Sequence, residues 1–401
     1  MPDLPPAPDE FRAAARAWLA SVASPRAARD SWGSGDDSVP VFHNWTEAEE
    51  REHTGRIAAW ERIRFDAGWG ALSWPGEFGG RGLSVSYEHL FRAEEAHFDV
   101  PRRTEIFPVT QQLVAPAIRL WGTPDQQRRL VRPMLRADIL ACQLFSEPEA
   151  GSDLAAVRTR AVRDGDGWVI SGHKIWTSGA RVASLGVAVC RTDPDVPKHA
   201  GLTVFLVPMD APGVATVPIR QITGGSSFNE VYLDGVRVPD SARLGPVGQG
   251  WRVTLSVLAA ERLDSGSLGL ESAERAVALA AHAGRPLTGV EVDSAGDLVV
   301  RTLVQRLIGL RVTAALVSGK EPGAEASVGK LYATETMRRT TDLVLELLGE
   351  KLVADTGEWG TFAWTEHLLG APGYRLAGGS DEIQRTVLAE RVLGLPREPS
   401  R

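Results

Sequence analysis

The hydrophobic pattern of this chain changes period near residue 140 and changes back near residue 248. Helices repeat their apolar positions every 3.6 residues and half-buried strands every second residue, so one layer of structure cannot satisfy both patterns. The stretch "RAVRDGDGWVISG" is two alternating segments around Asp-Gly-Asp-Gly, a strong hairpin signal. "SLGVAVCRT", "LTVFLVPM", "GVATVPIR" and "NEVYLDGVRVP" follow at short intervals with turn residues between them. Some six short strands at this spacing predict a small antiparallel barrel or sandwich. Before it, 9–30 reads as a helix with Phe11, Ala15, Trp18 and Leu19 on one face, and a second helix carries Ile57, Trp60 and Ile63. Helices follow over 84–98, 107–122 and 124–136. After it, 251–283 reads as one long periodic run through Val253, Val257, Leu258 and Leu263. Residues 298–318 put Leu303, Leu307 and Leu310 on one stripe, and 324–348 and 380–393 complete a bundle. The expected class is α+β: an N-terminal helical domain over 1–140, a small middle antiparallel β domain over 141–243, and a C-terminal four-helix bundle over 244–401.

The formal net charge is -7 with a pI near 5.7, which argues against general affinity for nucleic acid or anionic membranes. No apolar run approaches the ~18 residues of a membrane span. The start, "MPDLPPAPDEF", lacks the basic and apolar regions of a signal peptide, so a cytoplasmic location is expected. Cys142 and Cys190 each lie in an apolar run and read as buried free thiols. There is no C-x-x-C or Cys/His cluster, and no metal site is expected.

Three short segments carry polar chemistry. "LFSEPEAGSDLAA" (144–156) gathers hydroxyls and open backbone N–H groups at Ser146, Gly151 and Ser152. Such a segment can hydrogen-bond the edge of a planar heterocycle; taken alone, it reads as a surface loop with a Ser or Asx turn. "GHKIWTSGA" (172–180) follows an aromatic wall, Trp176, with the hydroxyls of Thr177 and Ser178; alone, it reads as a core Trp at a strand end. "LAGGSDEIQR" (376–385) sets Gly378 and Gly379 before a Ser380 cap. This is an ordinary helix start, and also the bare N–H-rich kind that receives an anion or a cofactor.

In this order, "SEPEAGSD", "G-x-K-x-W-T-S", "FNEVYLDGVRVP", "GxGW" and "GGSDEIQRTVLAERVLGLPRE" resemble the acyl-CoA dehydrogenases over nearly the whole chain. The resemblance implies an α–β–α fold with FAD between the β domain and the C-terminal bundle, held partly by a neighbouring subunit. It places Gln143, Phe145 and Ser146 along the flavin ring, with Gly151 and Ser152 following in the same segment. Trp176 falls on the family's flavin-flanking Trp, with Thr177 beside it. Ser178 falls on a Thr whose hydroxyl meets flavin N5, and Ser380 and Glu382 fall on C-terminal flavin-contact positions. Ser152 and Arg262 are the implied substrate-binding positions.

The implied reaction removes an α-proton from an acyl-CoA thioester while hydride leaves the β-carbon, giving a trans-2-enoyl-CoA. The electrons then pass to an electron-transfer flavoprotein. A carboxylate serves as the base because burial brings its pKa toward the working range. Aligned through Ile383-Gln384-Arg385, Gly378 stands where many members keep that Glu. In members such as isovaleryl-CoA dehydrogenase the base lies on the helix after the β domain, and "LSVLAAERLDSG" sets Glu261 there. Glu261 and Gly378 are therefore the expected catalytic pair. "AHAGRPLTG" stands in place of the family's R-x-x-F-G, and "LGEKLV", after Glu346, in place of Gly-Gly-x-Gly. Both segments usually grip the adenine half of FAD. A homo-tetramer or dimer is implied, with a hetero-oligomer as the alternative. The competing readings are a non-catalytic or half-site partner subunit, and a flavin oxidase or monooxygenase on the same fold.

Overall fold

Helix α1 (Pro8–Val22) opens on a proline, which has no amide hydrogen to lose in the first turn. It ends before Pro25, which bridges to Phe98, and so is shorter than the periodicity predicts. The computed structural model describes residues 5–26, 41–264, 268–318, 320, 323–354 and 363–397; the side chains of 261–264 and 363 lie outside the description. Helix α2 (Glu47–Asp66) starts at a capping box. The Glu49 amide donates to Thr46 Oγ1 at 3.3 Å, and the Thr46 amide to Glu49 Oε2 at 2.8 Å. Ile57 and Trp60 are buried as expected, whereas Ile63 is exposed. Helix α3 (Val85–Glu95) follows. Four short helices come next: α4 (Ile106–Pro108), α5 (Ala115–Trp121), α6 (Pro124–Gln126) and α7 (Arg132–Leu135). The π-helical turns Val109–Val114 and Gln127–Val131 link them into two rods.

The strands are β1 (Ala141–Leu144), β2 (Arg160–Asp164), β3 (Gly167–Ser178), β4 (Leu185–Arg191), β5 (Leu202–Pro208), β6 (Val214–Ile219), β7 (Phe228–Pro239) and β8 (Arg243–Leu244). They form one sheet in the order β6-β7-β3-β2-β4-β5-β8, with β1 paired to β4. The sheet is largely antiparallel, as expected. Its parallel contacts are β1 along β4 and the single pair Arg160↔Arg191 between β2 and β4. β4 and β5 are buried on both faces, which explains their unbroken apolar runs. Val187, Val189, Val204 and Leu206 pack with Leu113, Val114, Ile118 and Met134 of the helical rods. Their neighbours Ala188, Cys190, Phe205 and Val207 pack with Trp168, Ile170, Val231 and Val236 on the other face.

The remaining helices are α8 (Gly250–Asp264), α9 (Leu270–Ala281), α10 (Gly289–Val317), α11 (Ala326–Leu348), α12 (Ala363–Tyr374) and α13 (Asp381–Val387). The single run expected over 251–283 is instead two helices, with Gly269 at φ 75° capping the second. That left-handed backbone cannot continue a helix. Ala273, Ala276 and Leu279 of α9 pack with Leu298, Leu343, Val344 and Trp364. Leu303, Leu307 and Leu310 of α10 are exposed, so this stripe faces away from that core. The chain divides into two compact units. One holds the described residues of 1–26, 45–221 and 226–260; the other holds those of 27–44, 222–225 and 261–401. Among the described residues no helix is long and apolar enough to cross a membrane.

Candidate active site

The segment leaving β1 is tied to β3 by a buried charge. Lys174 has no exposed surface, and its ammonium donates to Phe145 O at 3.0 Å, Val189 O at 2.7 Å and Glu147 Oε1 at 2.8 Å. All three of its donors are thereby used. The Glu147 carboxylate also accepts from the amides of Arg158 at 2.6 Å and Thr159 at 2.8 Å. Burial pulls the Lys174 pKa below its ordinary value, against the attraction of Glu147. Burial pushes Glu147 up, but Lys174 and the hydrogen bonds outweigh it and hold the carboxyl below the usual range. The Ile175 amide donates to Ser146 O at 2.9 Å, which closes the seam between the two segments.

This seam coincides with an irregularity in the sheet. Lys174 pairs with Val231 and Thr177 with Asn229, so Ile175 and Trp176 together face one residue of β7. Such a bulge bends a strand and re-aims a side chain. Trp176 sits at φ 61°, a left-handed conformation that costs a non-glycine residue about 1–2 kcal/mol. The residue is 57% exposed, and its ring meets that of Phe228 edge-on at 6.0 Å. Strain of this kind persists where the surroundings over-determine it, and it clusters at functional sites. Nearby positions leave polar atoms unpaired. Gln143 Nε2, Thr177 Oγ1 and Asn229 Oδ1 are buried without a hydrogen-bond partner, although Asn229 Nδ2 donates to Thr177 O at 3.0 Å. Gly151 and Ser152 are exposed, and a Cβ on Gly151 would meet nothing within 4 Å. The next residue, Asp153, is held by Lys198 Nζ at 2.7 Å.

The other unit holds the glycine turn. Gly378 and Gly379 take φ 64° and 87°, which only glycine adopts without strain. Ser380 Oγ accepts from the Ile383 amide at 3.3 Å and caps α13. Gln384 Nε2 donates to Gly378 O at 2.8 Å. Beneath the turn, the buried Asp381 accepts from Lys330 Nζ at 2.8 Å, Thr334 Oγ1 at 3.0 Å and Arg375 Nε at 2.8 Å. Burial pushes its pKa up, but the Lys330 and Arg375 hydrogen bonds outweigh this and keep it ionised below the usual aspartate range. Asp381 is thus a structural anion and not a free base. Glu382 is exposed and lies 3.6 Å from Arg385.

Of the residues named from the sequence, Gln143, Phe145, Ser146, Gly151, Ser152, Trp176, Thr177 and Ser178 fall in the first unit, where the Lys174 seam joins the segments that carry them. Gly378, Ser380 and Glu382 fall together on the turn of the second unit. Glu261 and Arg262 lie on α8, and their side chains lie outside the described residues. Sequence reasoning passed over Lys174, Glu147, Asn229, Lys330 and Gln384. Lys174 and Glu147 stood inside quoted motifs; their signal was a charge embedded in an otherwise apolar or turn-forming segment.

Three family models match in order. They are the N-terminal domain of acyl-CoA dehydrogenase over 6–138, its middle domain over 142–236 and its C-terminal domain over 248–393. The chain belongs to the acyl-CoA dehydrogenase family. That family comprises oxidoreductases of lipid metabolism. The acyl-CoA dehydrogenase IpdE1 of Mycobacterium tuberculosis (strain ATCC 25618 / H37Rv) is 36% identical over 400 residues, covering 97% of this chain and 98% of that one. The acyl-CoA dehydrogenase FadE34 of the same strain is 39% identical over 332 residues, covering 83% of this chain. Only 45% of FadE34 is matched, so the chain spans less than half the length of that relative. Among solved structures, the Tcur3481-Tcur3483 steroid ACAD superposes with a TM-score of 0.77 at 28% identity, over 99% of this chain and 100% of that one. The ChsE4-ChsE5 complex from Mycobacterium tuberculosis superposes with a TM-score of 0.76 at 27% identity, over 99% of each chain.

Proposed function

We propose that the chain carries out FAD-dependent α,β-dehydrogenation of an acyl-CoA thioester to the trans-2-enoyl-CoA, with an electron-transfer flavoprotein as acceptor. The observation that carries this reading is the strained Trp176 bulge beside three unpaired buried polar atoms, on a seam locked by a buried ion pair. An aromatic wall with unsatisfied hydrogen-bonding groups fits a flat heterocycle with a polar edge. Gln143, Phe145, Ser146, Gly151, Ser152, Trp176, Thr177 and Ser178 are the proposed FAD-contacting residues of the first unit, and Ser380 and Glu382 are the positions of the second that the family resemblance assigns to FAD. When bound, FAD supplies the acceptor for the hydride that leaves the β-carbon.

Glu261 is the proposed base for the α-proton, since Gly378 vacates the alternative position. The Gly378 amide then donates to the thioester carbonyl as negative charge grows on its oxygen. Ser178 supplies a hydroxyl at the reacting edge of the ring, and Ser152 and Arg262 orient the thioester. A bulky acyl group of steroid type is the proposed substrate. Support comes from the bare Gly378 and from the steroid ACAD similarity.

An unlike partner chain of the same family is proposed to complete the cofactor site. The segments that usually grip adenine are replaced in this sequence, α10 exposes Val299, Val300, Leu303, Leu307 and Leu310, and two similar solved structures are two-chain assemblies by name. The test is anaerobic stopped-flow bleaching of flavin by a panel of acyl-CoAs, with the chain purified alone and with a candidate partner. Glu261→Gln keeps shape and removes basicity, so bleaching should slow by ~10²-fold or more while FAD is retained. Near-normal bleaching in that variant overturns the assignment of the base. A chain that takes up no FAD in either preparation overturns the reading as a whole.

A further inference from the structure

Lys174 and Glu147 have no assigned part in the proposed chemistry, yet both are buried and each side chain makes three hydrogen bonds. The Lys174 ammonium bonds to three acceptors on two separate segments: Phe145 and Glu147 in the stretch after β1, and Val189 in β4. Glu147 passes the restraint on to the amides of Arg158 and Thr159, just before β2. Lys174 is also the last residue of β3 in regular register before the bulge that carries Trp176. One ion pair therefore fixes the Phe145–Glu147 segment and the strained Trp176 backbone relative to each other. A methionine at position 174 would fill the same space and break all three links.

We propose that Lys174 and Glu147 are positioning residues whose buried pair holds the Phe145–Glu147 segment and the Trp176 bulge as one ledge for the flavin ring. This rests on the FAD reading above. A buried pair that served folding alone could be exchanged for neutral isosteres with little effect on ligand binding. A positioning pair could not, because ligand affinity falls when the binding conformation is only fractionally populated. The left-handed Trp176 would then relax toward ordinary extended backbone, and the ring would leave its aimed position.

The experiment uses the full-length chain, with its partner where FAD uptake requires one. Lys174→Met alone leaves an unpaired buried carboxylate, so the informative variant is Lys174→Met/Glu147→Gln. Glu147→Gln, which keeps an acceptor for Lys174, is the second variant. FAD affinity is read from quenching of flavin fluorescence, and melting temperatures are taken with and without FAD. The expected result is a folded double variant with FAD affinity at least about tenfold weaker, a smaller FAD-induced rise in melting temperature, and altered fine structure in the visible band of the bound flavin. Glu147→Gln should show the same changes to a lesser degree. A folded double variant with wild-type affinity and spectrum overturns the proposal. So does wild-type affinity in Glu147→Gln if the double variant does not fold. Failure of the wild-type protein itself to bind FAD would instead sink the functional reading, and the proposal with it.

Discussion

Asp381→Asn tests whether the glycine turn is held by the charge buried beneath it. Asp381 and Lys330 are 4% and 3% exposed, so neither can recover water when the other is lost. Removing one partner of a buried, hydrogen-bonded pair costs about 3–5 kcal/mol. Asparagine keeps one acceptor for Lys330 and Thr334, but it turns an amide donor toward Arg375 Nε, which now donates at 2.8 Å. The lower end, about 3 kcal/mol, is therefore expected. At about 3–4 °C per kcal/mol for a unit of this size, the melting temperature should fall by about 10 °C. The pair also predicts the shape of the pH profile. The folded-state pKa of Asp381 is depressed, burial being outweighed by hydrogen bonds from Lys330 and Arg375. Its contribution is therefore present above the ordinary aspartate range and lost as pH falls through the lower folded value. Thermal melts followed by circular dichroism over an acid series should show this limb in the wild type and not in Asp381→Asn. Adding Lys330→Met to Asp381→Asn should cost far less than Lys330→Met costs alone. A fall of less than about 3 °C, which is about 1 kcal/mol on the same scale, or additive single and double effects, would refute the reasoning.

Trp176→Gly and Trp176→Ala should both reduce FAD retention. Only glycine relieves the left-handed backbone, so Trp176→Gly should melt higher than Trp176→Ala by the equivalent of about 1 kcal/mol; equal melting would contradict strain at that position. Ser178→Ala should slow flavin reduction more than it weakens FAD binding, and an unchanged reduction rate with the best acyl-CoA would remove the hydroxyl from the reacting edge. Leu303→Lys with Leu307→Lys puts charges into the exposed α10 stripe and should lower the oligomeric mass seen by analytical ultracentrifugation. An unchanged mass would show that the stripe is not an interface.

Much of the architecture could be read from the chain because it follows from local periodicity. The doubly apolar β4 and β5 announced themselves as unbroken runs, and Ser380 marked a helix start through chemistry confined to three or four residues. Helix α10, read from 298, begins instead at Gly289 behind the Thr288 capping box. β1 was not legible: its four residues abut a helical run, and what makes them a strand is the register with Leu185–Ala188 some forty positions later. Ile63 and the α10 leucines satisfied helical periodicity and still face outward, because periodicity reports that a helix has an apolar side and not what covers it.

The sequence by itself determined which residue types are available to the proposed chemistry: Trp176 and Ser178 before Gly179, Gly378 where the family resemblance implies a carboxylate, and Glu261 on the helix after the β domain. It could do so because motif identity is a matter of order and spacing. Only the tertiary structure decided what holds those residues. Lys174 reads in the sequence as an ordinary strand lysine, and its three hydrogen bonds exist only because β4 and the 145–147 segment converge on one ammonium. Asp381 reads as a helix-cap neighbour, and it is an anion rather than a base because Lys330 and Thr334, some fifty positions earlier, and Arg375 from the preceding turn all donate to it. Ionisation, strain and burial depend on neighbours in space, and the partners of Lys174 and Asp381 include residues from fifteen to fifty-one positions away in sequence.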